Sequence, residues 1–381
     1  MRPLIKWAGG KSSEIQYIEK IIPKYERYFE PFVGGGALYF DLEPQKAYVN
    51  DITTELIDFY KYIQNGKREQ FKEELQKYVK YWHRIKNYMD KFGNTILDIY
   101  NKYKLNKISE TQFEEQIDRL FVQNIIPFNG LFSNEFAIDK EELRKSIQRN
   151  LIEKLNRIKN VVDTQNHFTD KGLLDNIETA FRSGFYMHFR EIMNKNKRKE
   201  LKLTKEKQIA NYYFVREFCY GGMFRFNSKG DFNIPYGGIA YNKKNFAGKV
   251  NHLFSEPVRR LLKRTIIENM DFEKFLNKHK PIRRDFLFLD PPYDTEFSEY
   301  EENPFTQKDQ ERLAKVLHKT KAQFIVIIKE TDFIRGLYEN DNNIHIESFD
   351  KTYSYNIRGR NEREVKHLII HNLRETQQKL V

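Results

Sequence analysis

Asp290, Pro291, Pro292 and Tyr293 follow directly on the short apolar run 285–289. Such a run predicts a strand, so the tetrapeptide projects from the carboxyl edge of a sheet, where open α/β folds hold ligands. These residue types suit the activation of an exocyclic amine on an aromatic base. That amine is a poor nucleophile because its lone pair is delocalised into the ring, and activating it takes acceptors for both amino hydrogens. Asp290 and the Pro291 carbonyl are such acceptors. Two prolines remove backbone donors and stiffen the turn, and Tyr293 offers a face on which an extruded base stacks. The bland alternative is a Pro-rich turn after a strand.

Two earlier segments carry chemistry of their own. In Glu30-Pro31-Phe32-Val33-Gly34-Gly35-Gly36 a glycine turn joins a predicted strand to a predicted helix, and glycine lets backbone approach a ligand closely. Tyr39 stands where the third glycine of a dinucleotide fingerprint belongs, which disfavours a nicotinamide cofactor. Asp51 ends the next strand, where a carboxylate accepts hydrogen bonds from both hydroxyls of an adenosine ribose. A plain tight turn and a helix cap are the alternatives. Gly9-Gly10-Lys11-Ser12 looks like the end of a phosphate-binding loop, but the earlier glycine position holds Ile5 and no strand precedes it. A nucleoside triphosphatase is rejected on that ground. Taken alone, Trp7 and Lys11 read as a packing aromatic and a solvated charge.

The elements that must position these residues alternate in the manner of an α/β sheet over residues 1–60. Strands are expected at 28–33 and 46–50, with a helix at 37–42 between them. Phe71, Leu75, Tyr78, Trp82, Ile85 and Met89 then recur at spacings of four and three, the stripe of an amphipathic helix. Helical character continues through 105–159 and 181–207 without a repeat, and the charged stretch 194–207 reads as an exposed helix or loop. Sheet grammar resumes with strands expected at 285–289, 323–328, 343–349 and 365–371. Thr306, with Asp309 three residues on, reads as the cap of a helix over 307–319. A helical insertion therefore splits one sheet domain, in keeping with a length of 381 residues.

A balance of 66 Lys plus Arg against 54 Asp plus Glu, for a net charge of +12, favours a polyanionic partner, with nucleic acid first among the candidates. Cys219 is the only cysteine, which excludes disulfide frameworks and thiolate-rich zinc sites and suits a reducing cytoplasm. No apolar run approaches the roughly 20 residues that span a bilayer, and the N-terminus runs into a motif rather than a signal peptide. No membrane association is expected.

Residues 224–238 read as a β-hairpin: Arg225 and Lys229 alternate with Phe224, Phe226 and Phe232 around a Ser228-Lys229-Gly230 turn. Such a ribbon can enter a groove of DNA, where Arg225 contacts either a guanine edge or a phosphate. A purely structural hairpin is the alternative. The clusters 258–264 and 355–360, which include Arg259 and Arg358, suit phosphates or plain solvation equally well.

Taken together, Ile5-Lys6-Trp7-Ala8-Gly9-Gly10-Lys11, residues 30–36, Asn50-Asp51-Ile52 and Phe288-Leu289-Asp290-Pro291-Pro292-Tyr293 resemble, in order, the motifs of the Dam-type (alpha class, D12 class) DNA adenine-N6 methyltransferases. Residues 223–237 resemble that family's DNA-reading hairpin, whereas residues 84–211 match nothing in it that can be placed. The resemblance implies that S-adenosylmethionine is the cofactor and that Trp7, Lys11, Asp51 and Asp290 line its site. Glu30, Phe32, Gly34 and Gly36 would form the floor. Asp290, Pro291, Pro292 and Tyr293 would hold a flipped adenine. Arg225, Asn227, Lys229 and Pro235 of the hairpin, with Arg259 and Arg358 of the basic clusters, are the candidate contacts to double-stranded DNA.

The expected fold is a doubly wound, Rossmann-like α/β methyltransferase sheet with an inserted, mostly helical target-recognition domain that contains a β-hairpin. The boundaries are 1–60 and 256–381 for the catalytic domain and 61–255 for the insertion. The expected reaction is direct displacement at the methyl carbon, without a metal. Rival readings are an amino-methyltransferase acting on cytosine N4 or RNA adenine, and a basic nucleic-acid reader without catalysis. Asp290 favours adenine, since cytosine N4 enzymes usually carry Ser there. Cytosine C5 chemistry needs a Pro-Cys setting that Cys219 lacks. A cognate restriction endonuclease is a candidate partner. In the GATC-methylating members, the segment resembling 234–237 is often followed by an arginine that reads guanine. Gly238 stands there, and Lys243 or Lys244 are candidate substitutes.

Overall fold

Short apolar segments flanked by turns assemble into one sheet. In the computed structural model its strands are Arg27–Glu30 (β1), Ala47–Asn50 (β2), Thr265–Glu268 (β3), Asp285–Leu289 (β4), Gln323–Lys329 (β5), His345–Thr352 (β6) and Glu364–His371 (β7). The structure describes every residue except 8, 12, 13, 124–126, 129, 163–167, 293–304, 353–363 and 374–381. Tyr293, Arg358 and the 355–360 cluster lie outside the described residues.

The seven-stranded order is β3-β2-β1-β4-β5-β7-β6. β1 through β5 pair in parallel, and β7 runs antiparallel to β5 and β6. This is a Rossmann-like α/β sheet. β2 and β4 are buried along their whole length, as parallel strands covered on both faces must be. Because the chain winds outward in both directions from the adjacent β1 and β4, the switch point that binds ligands in open α/β sheets falls between them. Arg27 clamps this junction from below, donating to both oxygens of the fully buried Asp285 at 2.9 and 2.5 Å. One face of the sheet packs on an apolar core that includes Phe275, Leu287, Leu313, Val326 and Leu368.

The helices Ala37–Leu42 and Gln307–Lys319 begin and end where the sequence places them. The Thr306 box is formed, with Thr306 N donating to Asp309 at 2.9 Å. β1 is shorter than expected: it stops at Glu30, because Pro31 has no N–H to continue a ladder. β3 was not anticipated, since a four-residue strand directly after a basic helix leaves little pattern to read.

The chain divides into two compact units. One comprises residues 1–68, 224–230 and 252–381 and holds the sheet. The other, 69–223 with 231–251, is helical. Its core is aromatic: Tyr78 stacks on Phe214 with ring centres 4.7 Å apart, and Trp82 packs on Phe218 at 4.2 Å. Phe71, Leu75, Tyr78, Trp82, Ile85 and Met89 are all buried on the helix Arg68–Lys104, so the predicted stripe is the buried face.

The expected hairpin is corrected. Residues 224–238 carry no strand; Phe226, Phe232 and Tyr236 are single bridge residues. Asn227 closes the turn, its Oδ1 accepting from Lys229 N at 2.9 Å and its carbonyl from Gly230 N at 2.9 Å. Pro235 offers no donor, and the paired glycines 237 and 238 bring no side chains to pack, so a continuous ladder is not supported here.

Candidate active site at the carboxyl edge of the sheet

Parallel pairing brings the ends of β1, β2 and β4 side by side, and each ends in an acidic residue or hands over to one. Glu30 closes β1, Asn50 closes β2 just before Asp51, and Asp290 follows β4. Asn50 staples the edge together: its Nδ2 donates to the Pro31 and Met270 carbonyls at 3.0 and 2.9 Å, while its Oδ1 accepts from Met270 N at 3.0 Å. The carbonyl and the N–H beyond two different strands are thus satisfied by one buried side chain.

Asp51 holds the glycine turn. Its Oδ2 accepts from Gly34 N at 3.0 Å and its Oδ1 from Thr53 N at 2.9 Å. Gly34 has φ +46°, and a Cβ there would come within 2.7 Å of the Trp7 indole. Only glycine meets both conditions, so Trp7 lies directly on the turn. Tyr60 Oη completes the turn by donating to the Gly34 carbonyl at 2.9 Å.

Lys11 crosses to the other wall of the switch point. Its Nζ lies 2.5 Å from Asp290 Oδ1 and donates to the Gly9 carbonyl at 3.0 Å; Lys11 is 2% exposed. A cation this deeply buried needs a partner, and Asp290 provides the counter-charge. Glu30 is fully enclosed and accepts from Tyr28 Oη at 2.8 Å. Burial raises its pKa well above the ordinary carboxylate range, against the pull of the Tyr28 hydroxyl and with help from the negative charges of Asp290 and Asp51. Burial raises Asp51 as well, opposed by the backbone N–H groups of Thr53 and Gly34.

Some contributing residues were not singled out from the sequence. Gln310, buried on the 307–319 helix, donates from Nε2 to the Pro292 carbonyl at 2.9 Å and so anchors the proline turn. Phe272 and Phe305 join Phe32 in an aromatic wall, with ring centres 5.4 and 5.5 Å from it. Neither carried a signal, because a buried Gln and scattered Phe residues look like ordinary helix and core positions.

The geometry gathers the Asp51-anchored glycine turn and the Lys11–Asp290 pair at one sheet edge beside the proline turn, and comparison with known proteins decides the family. The sequence model of the D12 class N6 adenine-specific DNA methyltransferases matches residues 7–137 and 145–354. The chain belongs to this family. It is 25% identical to a Type II methyltransferase of a Paramecium bursaria Chlorella virus over 98% of this chain and 100% of that protein. It is 25% identical to a Type II methyltransferase of Methanocaldococcus jannaschii over 90% of this chain and 89% of the other. A DNA adenine methylase of Vibrio cholerae is 22% identical over 95% and 93% of the two chains. The enzyme is thus an adenine-specific DNA methyltransferase that uses a methyl-donor cofactor and takes DNA as substrate. Among the described residues, no helix is long and apolar enough to cross a membrane.

Of the sequence-predicted DNA-facing residues, Arg225, Asn227, Lys229, Pro235 and Arg259 lie within the second matched segment, 145–354, and Arg358 lies beyond it. Arg225, Asn227, Lys229 and Pro235 are exposed on the 224–238 segment. Arg259 is 43% exposed on the helix Glu256–Lys263, 3.4 Å from Glu256. Arg264, from the same basic cluster, is instead committed to the fold, donating to the Pro44 and Glu43 carbonyls at 2.9 and 2.6 Å. Lys244 is also committed: it donates to the Glu217 carbonyl and lies 3.8 Å from the centre of the Tyr241 ring. It is no free substitute for an arginine at 238, whereas Lys243 is exposed.

Proposed function

We propose that the methyl donor is S-adenosylmethionine and that the acceptor is an adenine turned out of duplex DNA and held at the switch point between β1 and β4. The observation that carries this reading is the convergence there of the Lys11–Asp290 pair and the Asp51-anchored glycine turn. The residues fit a nucleoside-bearing donor. Gly34 lets the turn pass directly against the Trp7 indole, Asp51 sets a carboxylate next to the turn, and Phe32 supplies an apolar face. Lys11, Glu30 and Gly36 complete that side.

When bound, the donor supplies an activated methyl group on a positively charged sulfur. The protein's part is orientation and electrostatics. Asp290 and the Pro291 carbonyl accept the two amino hydrogens and stabilise the charge that grows on the adenine nitrogen. Pro292 keeps the turn stiff, with its carbonyl already taken by Gln310. Tyr293 provides the stacking face. Base extrusion is required because N6 inside a duplex is out of reach of such a turn.

The helical body, assigned to 61–255, is read as the target-recognition domain, with Arg225, Asn227, Lys229 and Pro235 facing bases or backbone and Arg259 and Arg358 holding phosphates. A cognate restriction endonuclease is the partner that a sequence-specific activity would serve, and the cytoplasm is the compartment. The test is transfer of labelled methyl groups from S-adenosylmethionine to duplex DNA, single strands and RNA. Sequencing of the modified sites would follow expression in a host without adenine methylation. Transfer to adenine N6 of duplex DNA at a defined sequence supports the reading; transfer confined to RNA, or absent from every duplex, sinks it.

A further inference from the structure

On the helix Asp170–Lys197, Tyr186, Arg190 and Asn194 recur every four residues and so share one face. Arg198, the C-cap residue, continues the row. All four reach the segment 231–234. Tyr186 Oη and Arg190 Nη1 donate to the Ile234 carbonyl at 2.8 and 3.1 Å. Asn194 Nδ2 donates to the Phe232 carbonyl at 3.1 Å, and its Oδ1 accepts from Phe232 N at 2.9 Å. Arg198 pairs with the Asp231 carboxylate.

From Arg190 to Asn194 four residues of helix advance about 6 Å, and from Ile234 to Phe232 two residues of extended chain advance about 6.6 Å, so at this step the two spacings match. The two run antiparallel: the helix numbers rise from 186 to 198 as the chain numbers fall from 234 to 231. Asn194, 3% exposed, reproduces with one amide the exchange of two hydrogen bonds that a neighbouring strand makes. The Asn194 side chain thus engages Phe232 in the manner of a neighbouring strand.

The consequence is register. Phe232 and Ile234 are buried at 2% and 1%, and Pro235 is exposed. A slip of one residue would exchange the buried and outward sets. We propose that Asn194, supported by Tyr186 and Arg190, is a positioning residue for target discrimination, fixing which side chains of the 231–237 segment are offered to DNA. This rests on the reading of 224–238 as a DNA-reading segment. It also gives a task to part of the helical region, 84–211, that the motifs leave unassigned.

The test uses the full-length enzyme and duplex oligonucleotides that carry its methylation site, each with one base pair replaced in turn. Asn194→Ala is expected to lower the ratio of kcat/KM between cognate and near-cognate duplexes about tenfold at one position or more, the effect of one lost hydrogen bond network contact. Donor affinity by calorimetry should stay within about twofold. Tyr186→Phe, which deletes a single hydroxyl, should move the ratio the same way by about threefold and serves if Asn194→Ala does not fold. Arg225→Ala is measured alongside. Should folded Asn194 and Tyr186 variants keep wild-type discrimination, or lose activity equally on every duplex, while Arg225→Ala relaxes it, the ladder is only structural and the proposal falls alone. If Arg225→Ala also leaves discrimination unchanged, the DNA-reading assignment falls with it.

Discussion

Lys11 and Asp290, from opposite ends of the chain, meet with Nζ 2.5 Å from Oδ1. The pair ties the segment that carries Trp7 to the segment that carries the proline turn, so one contact holds both walls of the site. Asp290→Ala should reduce methyl transfer by at least a hundredfold, because it removes an acceptor for the amino hydrogens. It should also destabilise the fold by on the order of 3 to 5 kcal/mol, since Lys11 is left as a buried cation without its counter-charge. Adding Lys11→Met should restore part of the stability and none of the activity. Denaturant titration and a methyl-transfer assay read the two effects separately, and a folded Asp290→Ala enzyme with near wild-type turnover would falsify the assignment.

Asp51 accepts two backbone N–H groups at the mouth of the glycine turn. Asp51→Ala should weaken donor binding more than DNA binding, by roughly tenfold or more, the effect of losing a charge-assisted hydrogen bond of about 1.5 to 3 kcal/mol. Calorimetry with S-adenosylmethionine measures this directly. An unchanged dissociation constant would mean that the turn holds something else.

Glu30 has a pKa raised by burial, so its protonated form is the one the folded state favours. The stability it contributes is therefore complete below the unfolded carboxylate value of about 4.3, and it is lost as pH rises towards the folded value. Glu30→Gln keeps the shape and cannot ionise. Unfolding measured at about pH 5, 7 and 9 should show the variant gaining on the wild type as pH rises. A difference that stays flat across that range would show that Glu30 ionises as freely in the folded protein as in the unfolded chain.

In the proposed division of labour Arg225 reads a base and Arg259 holds a phosphate. Arg225→Ala should relax the preference at one base pair, worth about 1 to 3 kcal/mol of discrimination, while non-specific, salt-sensitive binding persists. Arg259→Ala should weaken all DNA alike and reduce the salt slope by about one unit. Methylome sequencing and binding titrations over a salt series decide between them, and identical behaviour of the two variants refutes the division of labour.

Gly238 has φ +84° and ψ −165°, a conformation open essentially to glycine alone. Gly238→Arg should cost on the order of 1 to 3 kcal/mol in stability and should not install a guanine contact, although no atom stands within 4 Å of the position its Cβ would take. A gain of guanine preference in a stable Gly238→Arg variant would overturn this.

Much of the site is legible in the sequence because its chemistry is local. A glycine turn after a strand, an acid after the next strand and Asp290-Pro291-Pro292 after a third each declare a role through residue type and a few neighbours. The amphipathic stripe from Phe71 to Met89 is equally local, since burial along one helix face depends only on spacing. So are the helix Ala37–Leu42 and the Thr306 cap.

What the tertiary structure alone decided are relationships between distant segments. That β1 lies beside β4, that Lys11 is buried against Asp290, that Gln310 holds the Pro292 carbonyl and that Lys244 is spent on Glu217 all depend on chain crossings that no window of sequence contains. The hairpin shows the same limit from the other side. Alternating aromatic and basic residues with a Ser-Lys-Gly turn carry a strand pattern, yet β pairing depends on the partner presented to each backbone group. For residues 231–234 side chains of the helix Asp170–Lys197 supply those partners. Residue type and spacing determined which groups could do the chemistry; only the fold, by bringing remote backbone and side chains within hydrogen-bonding distance, determined which of them are placed to do it.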